Sequence, residues 1–104
     1  MPHADPLACS LGAGDLEQRL AAMAEIGAAT LTGRSLEGGR QVLRFRADDA
    51  TRRRLEEIVA AEARCCSFLD LALCQEAGEL VLTITAPDEA QPVAARLALA
   101  FTGR

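Results

Sequence analysis

Two segments of alternating apolar and polar residues, each followed by a helical pattern, recur 39 residues apart and constrain the fold more than any other feature. Aligning the sequence with itself at this offset pairs Leu43 with Leu82 and Phe45 with Ile84. Alternation with a period of two residues is what a β-strand with one buried face requires. Each alternating segment follows a glycine-containing turn, predicted at residues 37–39 in the first case and 75–78 in the second, so the sequence predicts two β-hairpins.

A short helix is predicted ahead of the first hairpin. Asp15 is suited to cap its N-terminus and Gly27 is suited to end it. Between these residues, Leu16, Leu20 and Met23 follow one another at helical spacing. The expected helix is therefore about ten residues long.

A longer helix is predicted between the hairpins, over about residues 49–66. Its inward stripe contains Leu55, Ile58, Val59 and Glu62. The offset of 39 residues aligns Glu62 with Phe101 of the C-terminal helix. A carboxylate thus stands where the other repeat has a large hydrophobic side chain, so we do not expect Glu62 to be a routine surface residue.

These elements predict a two-layer α+β sandwich in the order α-ββα-ββα, with a four-stranded antiparallel sheet and the helices on one face. Residues 1–13 lack periodicity and are expected to form an irregular N-terminal arm that carries Cys9. Residues 14–104 are expected to form a single domain. Its internal repeat covers about residues 28–66 and 67–102.

Charge and hydropathy exclude several functional classes. The chain has 15 acidic and 11 basic residues and a formal net charge of −4, which argues against a polyanion-binding surface. Its only basic run, residues 52–54, is interpreted as a solvated helix face. No run of about eighteen apolar residues is present to span a membrane, and the N-terminus lacks the pattern of a secretory signal. We therefore expect a cytoplasmic protein with reduced thiols and without nucleic-acid or membrane partners.

The candidate functional site is the segment 62–66, where the longer helix is predicted to end. Glu62 precedes the two thiols by three and four residues, so the three side chains can converge on one side of the helix. Adjacent cysteines seldom bond to each other because the small ring distorts the peptide between them, so Cys65 and Cys66 are expected to remain thiols. Thiolates favour Zn²⁺, Cu⁺ and other soft ions over Mg²⁺ or Ca²⁺, and the same softness suits Hg²⁺ and trivalent arsenic.

Cys9 is the candidate for a third sulfur ligand, provided that the N-terminal arm folds back over the helix end. Two thiolates and a carboxylate leave a tetrahedral zinc site incomplete, whereas three thiolates suit trigonal coordination of a soft ion. His3 is interpreted as an ordinary residue of the N-terminal arm and not as a ligand. Cys74 is interpreted as a small apolar residue or a free thiol on the outward face of its strand. The predicted ligands of an Hg²⁺ or Zn²⁺ ion are Cys9, Cys65, Cys66 and Glu62, with Glu62 as a weak ligand or a base beside the sulfurs.

Electrostatics favours metal binding over thiol chemistry at this place. The negative end of the helix dipole and the carboxylate of Glu62 disfavour a free thiolate, but they attract a bound cation. Arg64 is the adjacent cation and is expected to point towards solvent. The sequence therefore favours a protein that sequesters or handles a thiophilic metal over an enzyme.

The segment 62–71, together with 79–87, resembles a family of small bacterial proteins found near regulators and transporters of mercury or other heavy-metal resistance. The family pattern is an early Cys, an E-x-x-C-C-x-F motif and a strand that ends in a Thr-rich stretch. The matching positions are Cys9, Glu62, Cys65, Cys66 and Phe68. The resemblance implies heavy-metal binding or handling. The chain lacks the G-x-T-C-x-x-C motif of ferredoxin-like metallochaperones, which argues against a conventional copper or mercury chaperone.

Two alternatives stay open. The first is a structural or interaction domain with buried, non-ligand cysteines, in which the outward sheet face supports homodimerisation or docking. That face is expected to carry Arg44, Arg46, Thr83 and Thr85. The second is a thiol redox sensor, in which Cys9 attacks or resolves an oxidised Cys65 or Cys66.

Overall fold

The computed structural model describes residues 13–103 and forms an α+β fold of three helices and one four-stranded sheet. The elements are α1 (Ala13–Thr30), β1 (Leu31–Glu37), β2 (Arg40–Arg46), α2 (Asp49–Cys65), β3 (Asp70–Glu76), β4 (Glu79–Thr85), a 3-10 turn (Asp88–Ala90) and α3 (Gln91–Ala100). Within the described range, no helix has the length and apolar character needed to cross a membrane. The predicted α+β class is confirmed.

The sheet is antiparallel throughout and has the strand order β1-β2-β4-β3. The two central strands, β2 and β4, pair with Leu43 opposite Leu82. Corresponding strands of the two hairpins begin and end 39 residues apart. Leu43 and Leu82 are also related by this offset, so a pseudo-twofold axis between them relates one hairpin to the other.

The core lies between the helices and one face of the sheet. The alternating residues expected to face inwards on the central strands are fully buried there: Leu43, Phe45, Leu80, Leu82 and Ile84. On the edge strand β3, Leu71 and Leu73 are partly buried against the same cluster. The opposite face carries Arg44 and Thr83, both partly exposed, as the alternation predicts. Val42 and Val81 lie on the same outer face and are buried, so this face is less polar than expected.

Both hairpins close through two-residue turns with positive φ. Gly38 and Gly39 have φ angles of 59° and 79°, and Ala77 and Gly78 have φ angles of 50° and 80°. Such turns match the twist of the flanking strands, and glycine adopts them without steric cost. The first turn was predicted at this place. The second was expected to begin at Gln75, but β3 continues to Glu76 because the shorter turn preserves strand pairing.

Helix α2 begins where the sequence predicts. The Asp48 carboxylate accepts a hydrogen bond of 2.8 Å from the Thr51 backbone N–H, which satisfies one of the free amides of the first turn. The same bond from Thr51 lowers the pKa of Asp48 below its ordinary value. Thr51 itself is buried, which ties the start of the helix to the domain.

Helix α1 is longer than the sequence suggested. It covers Asp15 and continues through Gly27 to Thr30, so these residues are neither its N-cap nor its stop. Gly27 is buried inside the helix, and a Cβ placed on it would lie 1.6 Å from the Phe101 carbonyl oxygen. Glycine is thus present because α1 packs backbone to backbone against the end of α3.

This close approach predicts that Gly27→Ala destabilises the protein by about 1–3 kcal/mol through overpacking, although alanine normally favours a helix. The measurement is equilibrium urea unfolding. Gly33→Ala is the matched control, because a Cβ at Gly33 meets no atom within 4 Å. Equal unfolding free energies for Gly27→Ala and the wild type would contradict the packing described here.

Candidate functional site

Glu62 lies on the inward stripe of α2, as predicted, and is completely buried. It shares this stripe with Leu55, which is also fully buried, and with Ile58 and Val59, which pack against the core. The residue related to Glu62 by the 39-residue offset is Phe101, which is buried and packs edge to face on Phe45. One repeat therefore fills this position with an aromatic ring and the other with a carboxylate.

Arg19 of α1 compensates the charge of Glu62. Its Nε donates a hydrogen bond of 2.6 Å to Oε2, and its Nη2 donates one of 3.0 Å to Oε1. The Arg19 side chain is 12% exposed and that of Glu62 is 1% exposed. Two parallel charge-assisted bonds between planar groups fix both distance and orientation. The result is a buried, bidentate ion pair that joins α1 to α2.

Cys66 follows the last residue of α2 and lies beside Glu62. Its backbone N–H donates a hydrogen bond of 2.7 Å to the Glu62 carbonyl oxygen, which ends the helix. Its Sγ lies 3.9 Å from Glu62 Oε1. The residue is 1% exposed, and its own carbonyl accepts a bond from the Leu69 backbone N–H. The sulfur is therefore buried close to the ion pair.

The Cys66 sulfur is in a disulfide bond, and the described side chains do not include the partner sulfur. The expectation that Cys66 remains a thiol is thus not met in this structure. Cys74, by contrast, is a free and exposed cysteine on β3. Its position on the face opposite Leu71 and Leu73 agrees with the predicted strand alternation.

The structure brings together two of the four predicted ligands, Glu62 and Cys66. Cys9 lies outside the described residues, as does His3, and Cys65 is the last residue of α2 with a side chain outside the described part. Residues 13–103, as far as they are described, contain no group of three or more metal-ligating side chains. Phe68, which completes the motif, packs against the hydrophobic core.

The electrostatic expectation needs one correction, because it treated Glu62 as an uncompensated carboxylate. The cation at the site is Arg19, from a different helix, and Arg64 is exposed. The sequence contained a signal for Arg19. Leu16, Leu20 and Met23 are the residues predicted to form the apolar stripe of α1. Arg19 follows Leu16 by three residues, so it lies on the same side of the helix. A charged residue at that position needs a buried partner of opposite charge.

No family model, curated protein or solved structure matches this chain.

The buried ion pair predicts strong coupling between Arg19 and Glu62. Arg19→Met should lower the free energy of unfolding by about 3–5 kcal/mol, because it removes the cation that pairs with the fully buried carboxylate of Glu62. Glu62→Met should lower it as well, because it removes the carboxylate that pairs with Arg19. The double variant should recover most of that loss, since both charges are then removed. Urea unfolding of the four proteins under one fixed redox condition measures the coupling.

The pair formed by Arg54 and Glu25, with an Nη2–Oε1 distance of 2.8 Å, provides a control on the surface. Its side chains are 40% and 71% exposed, so its coupling energy should lie between about 0 and 1 kcal/mol. A coupling between Arg19 and Glu62 as small as that of the surface pair would contradict a buried, oriented ion pair.

Proposed function

We propose that this protein binds a thiophilic metal ion through its cysteines, with Cys65 and Cys66 as primary ligands and Cys9 as the closing ligand. The observation that carries the proposal is the fixed position of Cys66 at the C-terminal end of α2, buried beside a carboxylate. The free carbonyl groups of a helix end carry partial negative charge. A bound cation is favoured there, and two adjacent sulfurs favour a soft one.

The resemblance of segment 62–71 to proteins associated with heavy-metal resistance supports the same proposal. Hg²⁺ and Zn²⁺ are the candidate ions, and sequestration or handling of a toxic metal is the proposed role. Because a metal needs deprotonated thiols, the disulfide of Cys66 has to be reduced before the ion binds. The proposal therefore concerns the reduced protein.

Titration of the reduced protein with Hg²⁺ or Zn²⁺, followed by native mass spectrometry, tests this function. The expected result is one tightly bound equivalent in the wild type and its loss in the Cys65→Ser/Cys66→Ser variant. Unchanged binding in that variant would overturn the proposal.

Cys74→Ser is the matched control for thiol content. Cys74 is exposed on the sheet face opposite the core, away from the end of α2, so its removal should leave the tight equivalent in place. Loss of the equivalent in this variant would place the metal at a different site.

The disulfide of Cys66 favours a second candidate function, a thiol–disulfide redox sensor. The guanidinium of Arg19 offsets the charge of Glu62, which removes part of the electrostatic penalty on a thiolate beside it. Such a sensor needs a disulfide that cellular thiols can reduce, whereas a structural disulfide resists them.

Equilibration in glutathione buffers, with the reduced fraction measured by alkylation and mass spectrometry, separates these cases. A redox sensor should have a midpoint potential above about −300 mV, because structural disulfides lie below this value. A potential below it would eliminate the sensor and leave the disulfide as a structural cross-link.

A further inference from the structure

The outer face of the sheet, opposite the core, carries its positive and negative charges on different halves. The strand order β1-β2-β4-β3 and the strand register determine which charged residues share this face with Val42 and Val81. On the half formed by β1 and β2 they are Glu37, Arg40, Arg44 and Arg46. On the half formed by β4 and β3 they are Glu79, Asp70 and Glu76. The formal charges of the two halves are therefore +2 and −3.

The ion pairs that these residues make within the chain are exposed and loose. Arg44 Nη1 lies 3.9 Å from Glu76 Oε1, and the two side chains are 36% and 60% exposed. Arg46 Nε lies 3.6 Å from Asp48 Oδ2, and these side chains are 65% and 45% exposed. Exposed pairs contribute little to stability, because water competes for both charges. The same charges can therefore exchange these partners for charges on another molecule.

The centre of the outer face is apolar but has little surface left to bury. Val42 and Val81, which are related by the 39-residue offset, are 6% and 3% exposed. In the described part of the chain, the three helices pack against the core on the other side of the sheet. Because burial of apolar area drives association in proportion to that area, these two valines contribute little to binding. A partner of this face has to be attracted by its charges.

Opposite charges on the two halves make the outer face complementary to itself. A twofold axis parallel to the strands, between β2 and β4, lays β2 of one copy over β4 of a second copy and β1 over β3. Each positive half then meets a negative half. A twofold axis across the strands would lay β2 over β2 and β4 over β4, so that like charges would face each other. The charge pattern thus favours one of the two face-to-face arrangements.

We propose that the outer face of the sheet binds a second copy of this chain, face to face, about the twofold axis parallel to the strands. This inference is independent of the proposed metal site, which lies on the other side of the sheet at the end of α2. Four strands about 4.8 Å apart, with seven residues rising about 3.3 Å each, cover about 19 by 23 Å.

The size of the face determines how strong the dimer is. Two copies of the face bury about 900 Å² in total, which is less than the roughly 1,200 Å² at the lower end of stable, specific interfaces. The dimer is therefore weak. Because charges supply its attraction and salt screens exposed charges, its affinity falls as the ionic strength rises.

Reversing the charge of one half at a time tests this arrangement. Arg40→Glu/Arg44→Glu makes both halves of the outer face negative, and Asp70→Arg/Glu76→Arg makes both halves positive. All four side chains are exposed or partly exposed, so the substitutions leave the core intact. Circular dichroism checks the fold of each variant. Non-reducing gel electrophoresis ensures that copies cross-linked through the exposed Cys74 are not counted as associated.

Arg53→Glu/Arg96→Glu is the matched control for net charge. It replaces two exposed arginines of α2 and α3, and so it changes the net charge by as much as Arg40→Glu/Arg44→Glu does. The dissociation constant of the dimer should stay within about threefold of the wild-type value in this control, because distant exposed charges are largely screened.

Sedimentation equilibrium measures the association. The wild type should form a dimer at about 50 mM salt that dissociates at about 500 mM salt. Each outer-face variant alone should have a dissociation constant at least about tenfold higher, because like charges then oppose each other. An equimolar mixture of the two outer-face variants should form a dimer again, with one copy of each, because opposite charges meet once more.

A wild type that stays monomeric at about 1 mM protein in low salt would overturn the inference. A dimer that both outer-face variants retain would overturn it as well, because the copies would then associate through another surface. A mixture of the two variants that stays monomeric would contradict the pairing of unlike halves. If one variant does not fold, the other variant and the salt dependence of the wild type decide the question.

Discussion

The buried ion pair between Arg19 and Glu62 is the constraint that orients α1 against α2 next to Cys66. It lies at a position where the pseudo-symmetric repeat has the aromatic ring of Phe101. A hydrophobic pair of similar volume would stabilise the fold at least as well, because burying two charges has a large desolvation cost. We interpret the presence of the charges as a sign that this end of α2 serves a purpose other than stability.

The leading helix α1 connects the two repeats through contacts of different kinds. It contacts α2 through the guanidinium of Arg19, and it contacts α3 through the backbone at Gly27. The contact with α2 needs a long charged side chain, whereas the contact with α3 needs a residue without a side chain. Together they fix α1 across the two other helices, and so they fix the place of Arg19 beside the carboxylate.

Glu62 then positions the backbone of Cys66. Its carbonyl oxygen accepts the Cys66 backbone N–H, and one of its carboxylate oxygens lies 3.9 Å from Sγ. One residue thus sets where the helix ends and forms part of the surroundings of the sulfur. Metal binding and thiol–disulfide exchange are two uses of the same positioned sulfur, and they differ in whether an ion or a second sulfur is its partner.

The sequence predicted the elements that local patterns determine. Alternation at Leu43 and Phe45 gave the inward face of the sheet, and the Gly38–Gly39 turn gave the first hairpin, because both depend on neighbouring residues alone. Gly27 has the local pattern of a helix stop, but its actual role is a close contact with the end of α3, which no local pattern reveals. Arg19 was missed for the same reason, since its partner is 43 residues away and on another helix.

A crystal structure of the reduced protein loaded with mercury, phased at the mercury edge, decides whether the sulfur at the end of α2 is a metal ligand. We expect a mercury peak bonded to Cys66 Sγ. Mercury found only at Cys74, with none at Cys66, would contradict the proposed site.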